Sequence, residues 1–487
     1  VPPIPGLWAC LVHASCVCNE IVSATNRVLG VVPLPTVRGI REIRTQVKKL
    51  ARQCGKLVPW DLDRTTESFR GPRKRRYQLA RESLNQKGLN RRDAKISSFV
   101  KAEKFDPAVK INPDPRMIQA RDPRYNLTIA QFLRPVEHFI YNLVGPSGGR
   151  MVAKGMNQEQ RATTIIENFS AFKNPVCFSL DCSRFDKHVS FPILSLEHLF
   201  YRMVLPNHPI LNRLLDWQTI NKCRTAGGVK YTVYGGRMSG DINTALGNCL
   251  LAILMVLSAM KILRIIKFRI YNDGDDVLVW VEWEHLALIK EQLAKTFLEF
   301  GQELKIENVA RKFSDVVFCQ SRVVFNGIKH VMVRDWRKVL SHACCGTRHW
   351  NDPNMVRPMF GLVGRCELAL GAGIPILQEF ALALQRHSRG AVAKLVNAEA
   401  GVHLRLKAEV GDAVDQFIES ARARPVSHEA RVSFRAAFGV ELWEQEAIEA
   451  ELRSWTVDNL QSITVPPERD HTWLNYSGIH SWIPKLH

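Results

Sequence analysis

The chain has 487 residues, 46% of them hydrophobic and 23% charged, which allows about two to four domains or subdomains and excludes a disordered, fibrous or collagen-like protein. Its formal net charge of +20 makes nucleic acid or an anionic membrane surface the expected partner, without fixing fold or chemistry. Twelve cysteines occur without a repeated short spacing, so they are read as mostly buried, reduced thiols rather than a disulfide framework.

Taken in chain order, Val1–Cys18 is apolar but broken by Pro2, Pro3 and Pro5 and lacks a basic start, so no secretory signal is evident. A first residue of Val fits a processed product or a fragment. Residues 1 to about 170 are basic, with breaks at Pro113–Pro115 and Gly145–Gly149, and predict loops and short helices rather than one helix bundle. Between Arg38 and Arg124 roughly two dozen Lys and Arg face about ten acids, densest at Arg73, Lys74, Arg75 and Arg76. That run fits RNA contact, and equally a solvated basic face or a targeting signal.

From Cys177 to about Cys345, strand-like runs alternate with helical patterns, predicting an α+β core. Val176–Leu180 reads as a buried strand ending in Asp181, with Asp186 five residues on. Ser239, Gly240 and Asp241 form a loop entering a helix on which Thr244 and Asn248, four apart, share one face; Ser239 or Asp241 alternatively caps that helix. The apolar stretch Cys249–Met260 is too short to cross a bilayer and reads as the buried part of a helix. Phe268–Glu282 reads as strand, tight turn, strand, with Asn272, Asp273, Gly274, Asp275 and Asp276 at the turn. A polar hairpin with no chemical role has the same composition.

Beyond about Trp350 the pattern becomes helical, with Glu367–Gln385 and Val402–Arg424 as long candidates. Trp443, Trp455, Trp473 and Trp482 either stack on bases or, more commonly, pack a core or interface. His342, Cys344, Cys345 and His349 form the one cluster to check for zinc; their spacing matches no common zinc pattern, and ordinary packing is the alternative.

Carboxylates gathered in one place repel unless a cation neutralises them, and hard oxygen ligands select Mg²⁺ or Mn²⁺. Two such ions would activate a ribose 3′ hydroxyl and stabilise a pyrophosphate leaving group during in-line phosphoryl transfer.

With these motifs assembled, the sequence resembles the polymerases of positive-strand RNA viruses, most closely the tombusvirus-like group, over roughly residues 99–320. The resemblance implies Asp181, Asp275 and, as an auxiliary, Asp276 as ligands of two Mg²⁺ or Mn²⁺ ions. It implies that Asp186, with Ser239, Thr244 and Asn248, senses the ribose 2′ hydroxyl and positions the nucleotide. Phe99–Lys104 and Pro115–Asn126 look like the basic fingertip motif, implying that Lys101, Lys104, Arg116 and Arg121 hold the incoming triphosphate. Lys305 looks like the lysine that protonates pyrophosphate, although Glu303 and Glu307 make a surface ion pair a near-equal reading. Phe318, Cys319 and Gln320 look like the strand motif that grips the primer end.

The implied fold is an α+β right-hand polymerase. Its parts are an N-terminal extension and fingers over 1–175, palm over 176–204, a fingers insertion over 205–232, palm again over 233–345, and a helical thumb with a C-terminal segment over 346–487. The implied partners are an RNA template, nascent RNA, ribonucleoside triphosphates and viral or host replication-complex proteins. The implied setting is the host cytoplasm at membrane-associated replication complexes, with no transmembrane segment evident. Two rivals stand beside this reading. A reverse transcriptase would carry a bulky aromatic gate where Asp186 and Asn248 offer polar groups. A non-catalytic RNA-binding scaffold would explain the charge but not the set of aspartates.

Overall fold

The computed structural model describes residues 11–105, 112–344, 352–393, 402, 406, 413–455 and 467–468. In the N-terminal part these form β1 (Leu11–His13), α1 (Val17–Ser23), a π-helical turn at Ala24–Leu29, α2 (Val37–Cys54), α3 (Leu62–Glu67), α4 (Gly71–Gln86), β2 (Ile96–Val100), β3 (Lys104–Phe105), β4 (Met117–Ala120), α5 (Pro123–Tyr141) and α6 (Gln158–Ser170). The expectation of short helices fails here, because α2, α4 and α5 run for 18, 16 and 19 residues. In α2 the basic residues mask a narrow apolar row, Ile43, Val47 and Leu50, spaced three to four apart and buried against the core. Local capping chemistry sets the starts: Thr36 accepts from the Gly39 amide at 3.0 Å, and Asp122 with Pro123 opens α5.

The middle of the chain supplies β5 (Pro175–Cys182), α7 (Phe185–His188), α8 (Phe191–Val204), α9 (Pro209–Asp216), β6 (Ile220–Thr225), β7 (Lys230–Tyr234), α10 (Thr244–Ile262), β8 (Arg269–Asp273), β9 (Asp276–Glu282), α11 (Leu286–Glu299), β10 (Leu304–Ala310), β11 (Ser321–Phe325) and β12 (His330–Arg334). Four strands form an antiparallel sheet in the order β10-β5-β9-β8. Both faces are covered. Val176, Phe178, Val279 and Val281 join the core built from α2, α8, α10 and α11, while the intervening Cys177, Leu278 and Trp280 pack with Ile165, Phe169 and Phe318. Burial on both faces is why β5 and β9 read as continuous apolar runs instead of alternating ones. A second sheet, β4-β2-β6-β7, joins strands from residues 96–120 to a hairpin at 220–234 through a parallel β2–β6 pair.

The helix α10 is long and apolar enough to cross a membrane, yet it lies in the core, with Leu250, Ile253, Leu254 and Met255 buried. Downstream follow α12 (Trp336–Ala343), α13 (Pro353–Gly371), α14 (Leu377–Ser388) and helices at Val414–Ser420, His428–Phe438 and Leu442–Ser454, around a core of their own that includes Val333, Phe360, Phe380 and Phe434. The single helix expected over Glu367–Gln385 is two, since Gly373 and Ile376 take φ of 79° and 64° on either side of Pro375. Of the helix expected at Val402–Arg424, Val414–Ser420 is helical and 421–424 is not; most of the rest lies outside the described residues.

Candidate active site

The sheet brings the two strand-end aspartates of the sequence reading onto one cleft. In the β5–β9 ladder the last pair is Leu180 with Val277, so Asp181, still paired with Lys305 of β10, comes next to the β8–β9 hairpin. Gly274 occupies the first central position of that two-residue hairpin with φ 86°, the conformation a type II′ turn demands there. The hairpin is anchored from below: the Gly274 amide donates to Cys249 Sγ at 3.2 Å and Asn272 Nδ2 to the Cys249 carbonyl at 3.1 Å. Asp275 is thus exposed at a fixed tip. Asp181 and Asp275 line one cavity of about 400 Å³ together with Asp186, Ser239, Thr244, Asn248, Lys101 and Arg116. Both carboxylates are close enough to act on the Cys182 thiol, which burial first, and then these two charges, push up to about 12.

The adjacent acids serve the other side. Asp276, expected as an auxiliary metal ligand, does not line the cavity; its Oδ2 accepts the Cys319 amide at 2.8 Å. The physical reason is the ladder: Asp276 stands directly opposite Asp273, so the two side chains share one face, on which Cys319 contacts both. Burial pushes the Asp276 carboxyl up to about 6. Asp273 is clasped by Lys154 and by Arg161 at 2.9 Å. Burial would raise its pKa, but these two cations outweigh it and hold it below the ordinary range. Phe318, Cys319 and Gln320, expected as a strand motif, form a tight turn in which Cys319 and Gln320 have φ of 49° and 58°. Lys154 and Arg161 escaped the sequence reading, and only their distant partner Asp273 marks them.

On the α10 side, Asn248 Nδ2 donates to Asp186 Oδ1 at 2.8 Å and Asn248 Oδ1 accepts from Arg237 Nε at 3.0 Å. Burial, more than any neighbour, raises the Asp186 pKa. Ser239 Oγ donates to the Met117 carbonyl at 3.1 Å, and Thr244 Oγ1 donates to the carbonyls of Met238 and Asp241 at 2.9 Å, so these hydroxyls pin the loop that walls the cavity. Neither Ser239 nor Asp241 caps α10, whose N-cap is Asn243.

The basic residues divide. Lys101 and Arg116 line the cavity, bridged by Glu103 at 3.1 and 3.2 Å. Arg27, Arg184 and Lys187, not singled out from sequence, line it as well. Burial first, then Arg116, depresses the Arg27 pKa. Arg121 is a correction: its side chain is 0% exposed, with Nε on Asp241 Oδ1 at 2.6 Å and further bonds to the Ala94 carbonyl and Asn221. A guanidinium whose donors are spent in the interior has none for a triphosphate. Lys104 likewise does not line the cavity, and its Nζ donates to the His342 carbonyl at 2.6 Å. Lys305 lies directly across the ladder from Asp181, but its 74%-exposed side chain pairs with Glu307 at 3.0 Å, the surface ion pair that its sequence neighbours suggested.

A second cavity of about 510 Å³ shares Ser239, Thr244, Asn248 and Asp275 with the first and adds Arg73, Arg134 and Lys154. Arg73 thus lines this cavity while staying exposed, whereas Lys74 of the same run pairs with Glu67. Among the described residues no group of three or more His, Cys, Asp or Glu side chains converges to hold a metal unaided. Of the cluster considered for zinc, Cys345 and His349 lie outside the described residues; Cys344 is buried, and burial, with Lys104 and Lys338, pushes His342 down to about 4. Trp455 packs against His387 at 5.0 Å, Trp443 is exposed, and Trp473 and Trp482 lie outside the described residues.

A family model described as viral RNA-dependent RNA polymerase matches residues 8–459. The chain belongs to that family. It is 35% identical over 435 residues to the RNA-directed RNA polymerase of groundnut rosette virus (strain MC1), covering 88% of this chain and 50% of the relative. It is 34% identical over 438 residues to that of turnip crinkle virus, covering 88% and 54%. It is 32% identical over 441 residues to that of carnation mottle virus, covering 89% and 56%. The chain spans about half the length of the curated relatives it matches. The α+β organisation agrees with a polymerase of this family, and the resemblance read from residues 99–320 extends across most of the chain.

Proposed function

We propose that this chain catalyses template-directed synthesis of RNA from ribonucleoside triphosphates, replicating a positive-strand RNA genome. The observation that carries the reading is the meeting of Asp181 and Asp275 on one cavity that the Asp186–Asn248 pair also lines. Members of the family generally use divalent metal ions. The donor set fits: Mg²⁺ commonly takes one or two protein carboxylates and completes its octahedron with substrate phosphates and water, and two exposed carboxylates are what the cavity offers.

In this reading Asp181 and Asp275 hold two Mg²⁺ or Mn²⁺ ions, which when bound supply a lowered pKa for the attacking 3′ hydroxyl and charge stabilisation for pyrophosphate. Lys101 and Arg116 draw the triphosphate in, assisted by Arg27, Arg184 and Lys187; Arg suits phosphate through its planar fork of donors. Asp186 and Asn248 meet the ribose 2′ hydroxyl, which both donates and accepts, while Ser239 and Thr244 keep the loop beside them in place. Asp276 and Asp273 fix the hairpin from behind. Lys305 is assigned the surface ion pair with Glu307 in preference to proton donation.

The subdomains are proposed as fingers over 1–175 and 205–232, palm over 176–204 and 233–345, and thumb with C-terminal segment over 346–487. The shared β4-β2-β6-β7 sheet supports grouping the two fingers segments, and the downstream helices share a core that also takes in Val324, Val333, Trp336 and Leu340, so the thumb packs on the end of the palm segment. RNA template, nascent RNA and replication-complex proteins at membranes in the host cytoplasm are the proposed partners and setting, in keeping with the +20 charge.

The test is incorporation of labelled ribonucleotides on an RNA template, with Mg²⁺ or Mn²⁺, with chelator, without template, and with deoxynucleotides. Synthesis requiring both template and metal and favouring ribonucleotides is expected. RNA binding without synthesis under any priming condition would instead favour the scaffold, and a preference for deoxynucleotides would favour the reverse transcriptase.

A further inference from the structure

Arg237, one of the residues lining the cavity, belongs to an ion pair that the reaction as described does not use. Arg237 Nη1 donates to Glu197 Oε1 at 3.1 Å and Nη2 to Oε2, and both side chains are almost fully buried. Glu197 also accepts from Tyr201 Oη at 2.8 Å and Asn243 Nδ2 at 3.1 Å. The Arg237 amide donates to the Asp186 carbonyl at 2.9 Å, and its Nε donates to Asn248 Oδ1 at 3.0 Å. Gly247 makes room for the pair: a Cβ there would lie 2.5 Å from Glu197 Oε1 and closer still to Arg237 Nη2.

This arrangement decides which end of the Asn248 amide points where. A guanidinium only donates, so it can meet Oδ1 and not Nδ2. With Oδ1 held, Nδ2 is turned to Asp186. Reversal would set the amide oxygen against a carboxylate and the amide NH₂ against an N–H donor, losing both bonds at once. Buried ion pairs add little net stability over apolar residues of similar volume, so stability alone gives no reason for one here. We propose that Arg237, clamped by Glu197, is the positioning residue that fixes the Asn248 amide and through it the preference for ribose over deoxyribose. The inference rests on the polymerase reading above.

The experiment measures kcat/KM for a ribonucleotide and its 2′-deoxy counterpart on one RNA template, using the full chain. Arg237→Lys keeps a cation opposite Glu197 but replaces the fork by a point charge that cannot serve Glu197 and Asn248 together. The ribo-to-deoxy ratio is expected to fall by about tenfold, the worth of one hydrogen bond to a charged group, through a higher ribonucleotide KM more than a lower kcat. In an Asn248→Ala background the same substitution should change the ratio no further, because the amide it positions is gone. Gly247→Ala, which displaces the pair without altering either member, should lower the ratio likewise and serves if Arg237→Lys folds poorly. An unchanged ratio in both variants, or an equal fall in the Asn248→Ala background, overturns the inference while leaving the polymerase reading intact. A wild-type chain that makes no RNA overturns both.

Discussion

The cleft and the interior of this molecule use the same residue types to opposite ends. In the interior, Arg121 is consumed by Asp241, and Arg237 by Glu197, each pair desolvated and saturated with hydrogen bonds. In the cleft, Asp181 and Asp275 are exposed and line one cavity with Lys101 and Arg116, which share Glu103 as an ion-pair partner. The difference teaches that a charge is available for chemistry where the fold leaves it exposed on a cleft, and not where burial and a full set of internal hydrogen bonds consume it. Arginines that look alike in a motif therefore part company: Arg116 serves the cavity while Arg121, five residues later, braces the loop wall.

That contrast can be broken most forcefully at the carboxylates. Asp181→Asn and Asp275→Asn should each lower templated synthesis by about a thousandfold or more, as expected when a metal ligand is lost. The double substitution should be little worse than either single one, since both act through the same ions; multiplicative losses in a turnover assay would show that they act separately. Arg121→Ala should instead act on the fold, because it strands Asp241 as an uncompensated buried charge, costing about 3–5 kcal/mol. Denaturant unfolding checks this, and a stable variant with a raised nucleotide KM would return Arg121 to the cleft.

The interior should also respond to pH. His198, fully buried against Gln218 and beside Glu197, is pushed down to about 4 from 6.5, chiefly by burial. Its neutral form is the folded form, so the unfolded chain takes up a proton first as pH falls. The stability it contributes is complete above pH 6.5 and drains away between 6.5 and about 4, by at most roughly 3 kcal/mol. Thermal melts should fall across that window, and His198→Gln should flatten the fall. The smallest effect belongs to Lys305→Ala. As an exposed pair with Glu307 it should cost under about 1 kcal/mol, whereas a general acid would lose about a hundredfold or more in kcat.

Legibility in the sequence follows the range of the forces involved. The strand β5, the Gly274 turn and the buried run of α10 depend on local backbone preference and apolar period, and all three are present, although β5 runs from Pro175 through Asp181 to Cys182 instead of stopping at Leu180. The different roles of Asp275 and Asp276 were legible in principle from the two-residue turn, which pairs Asp276 with Asp273 and leaves Asp275 at the tip, yet the motif suggested a shared role. The fates of Arg121 and Arg237 were not legible, because they are decided by Asp241 and Glu197, 120 and 40 residues away. Lys154 and Arg161 were hidden for the same reason. The long basic helices of the N-terminal part were obscured by charge, which reports on partners and conceals a narrow apolar stripe.

The central claim, that the Asp181–Asp275 cleft is the chemical centre of an RNA polymerase, is tested most directly by RNA-templated ribonucleotide incorporation in wild type and Asp275→Ala, with RNA affinity measured in parallel. The account predicts metal-dependent product from wild type, none from the variant, and equal RNA binding by both. Product undiminished in Asp275→Ala, or RNA affinity lost together with synthesis, would contradict it.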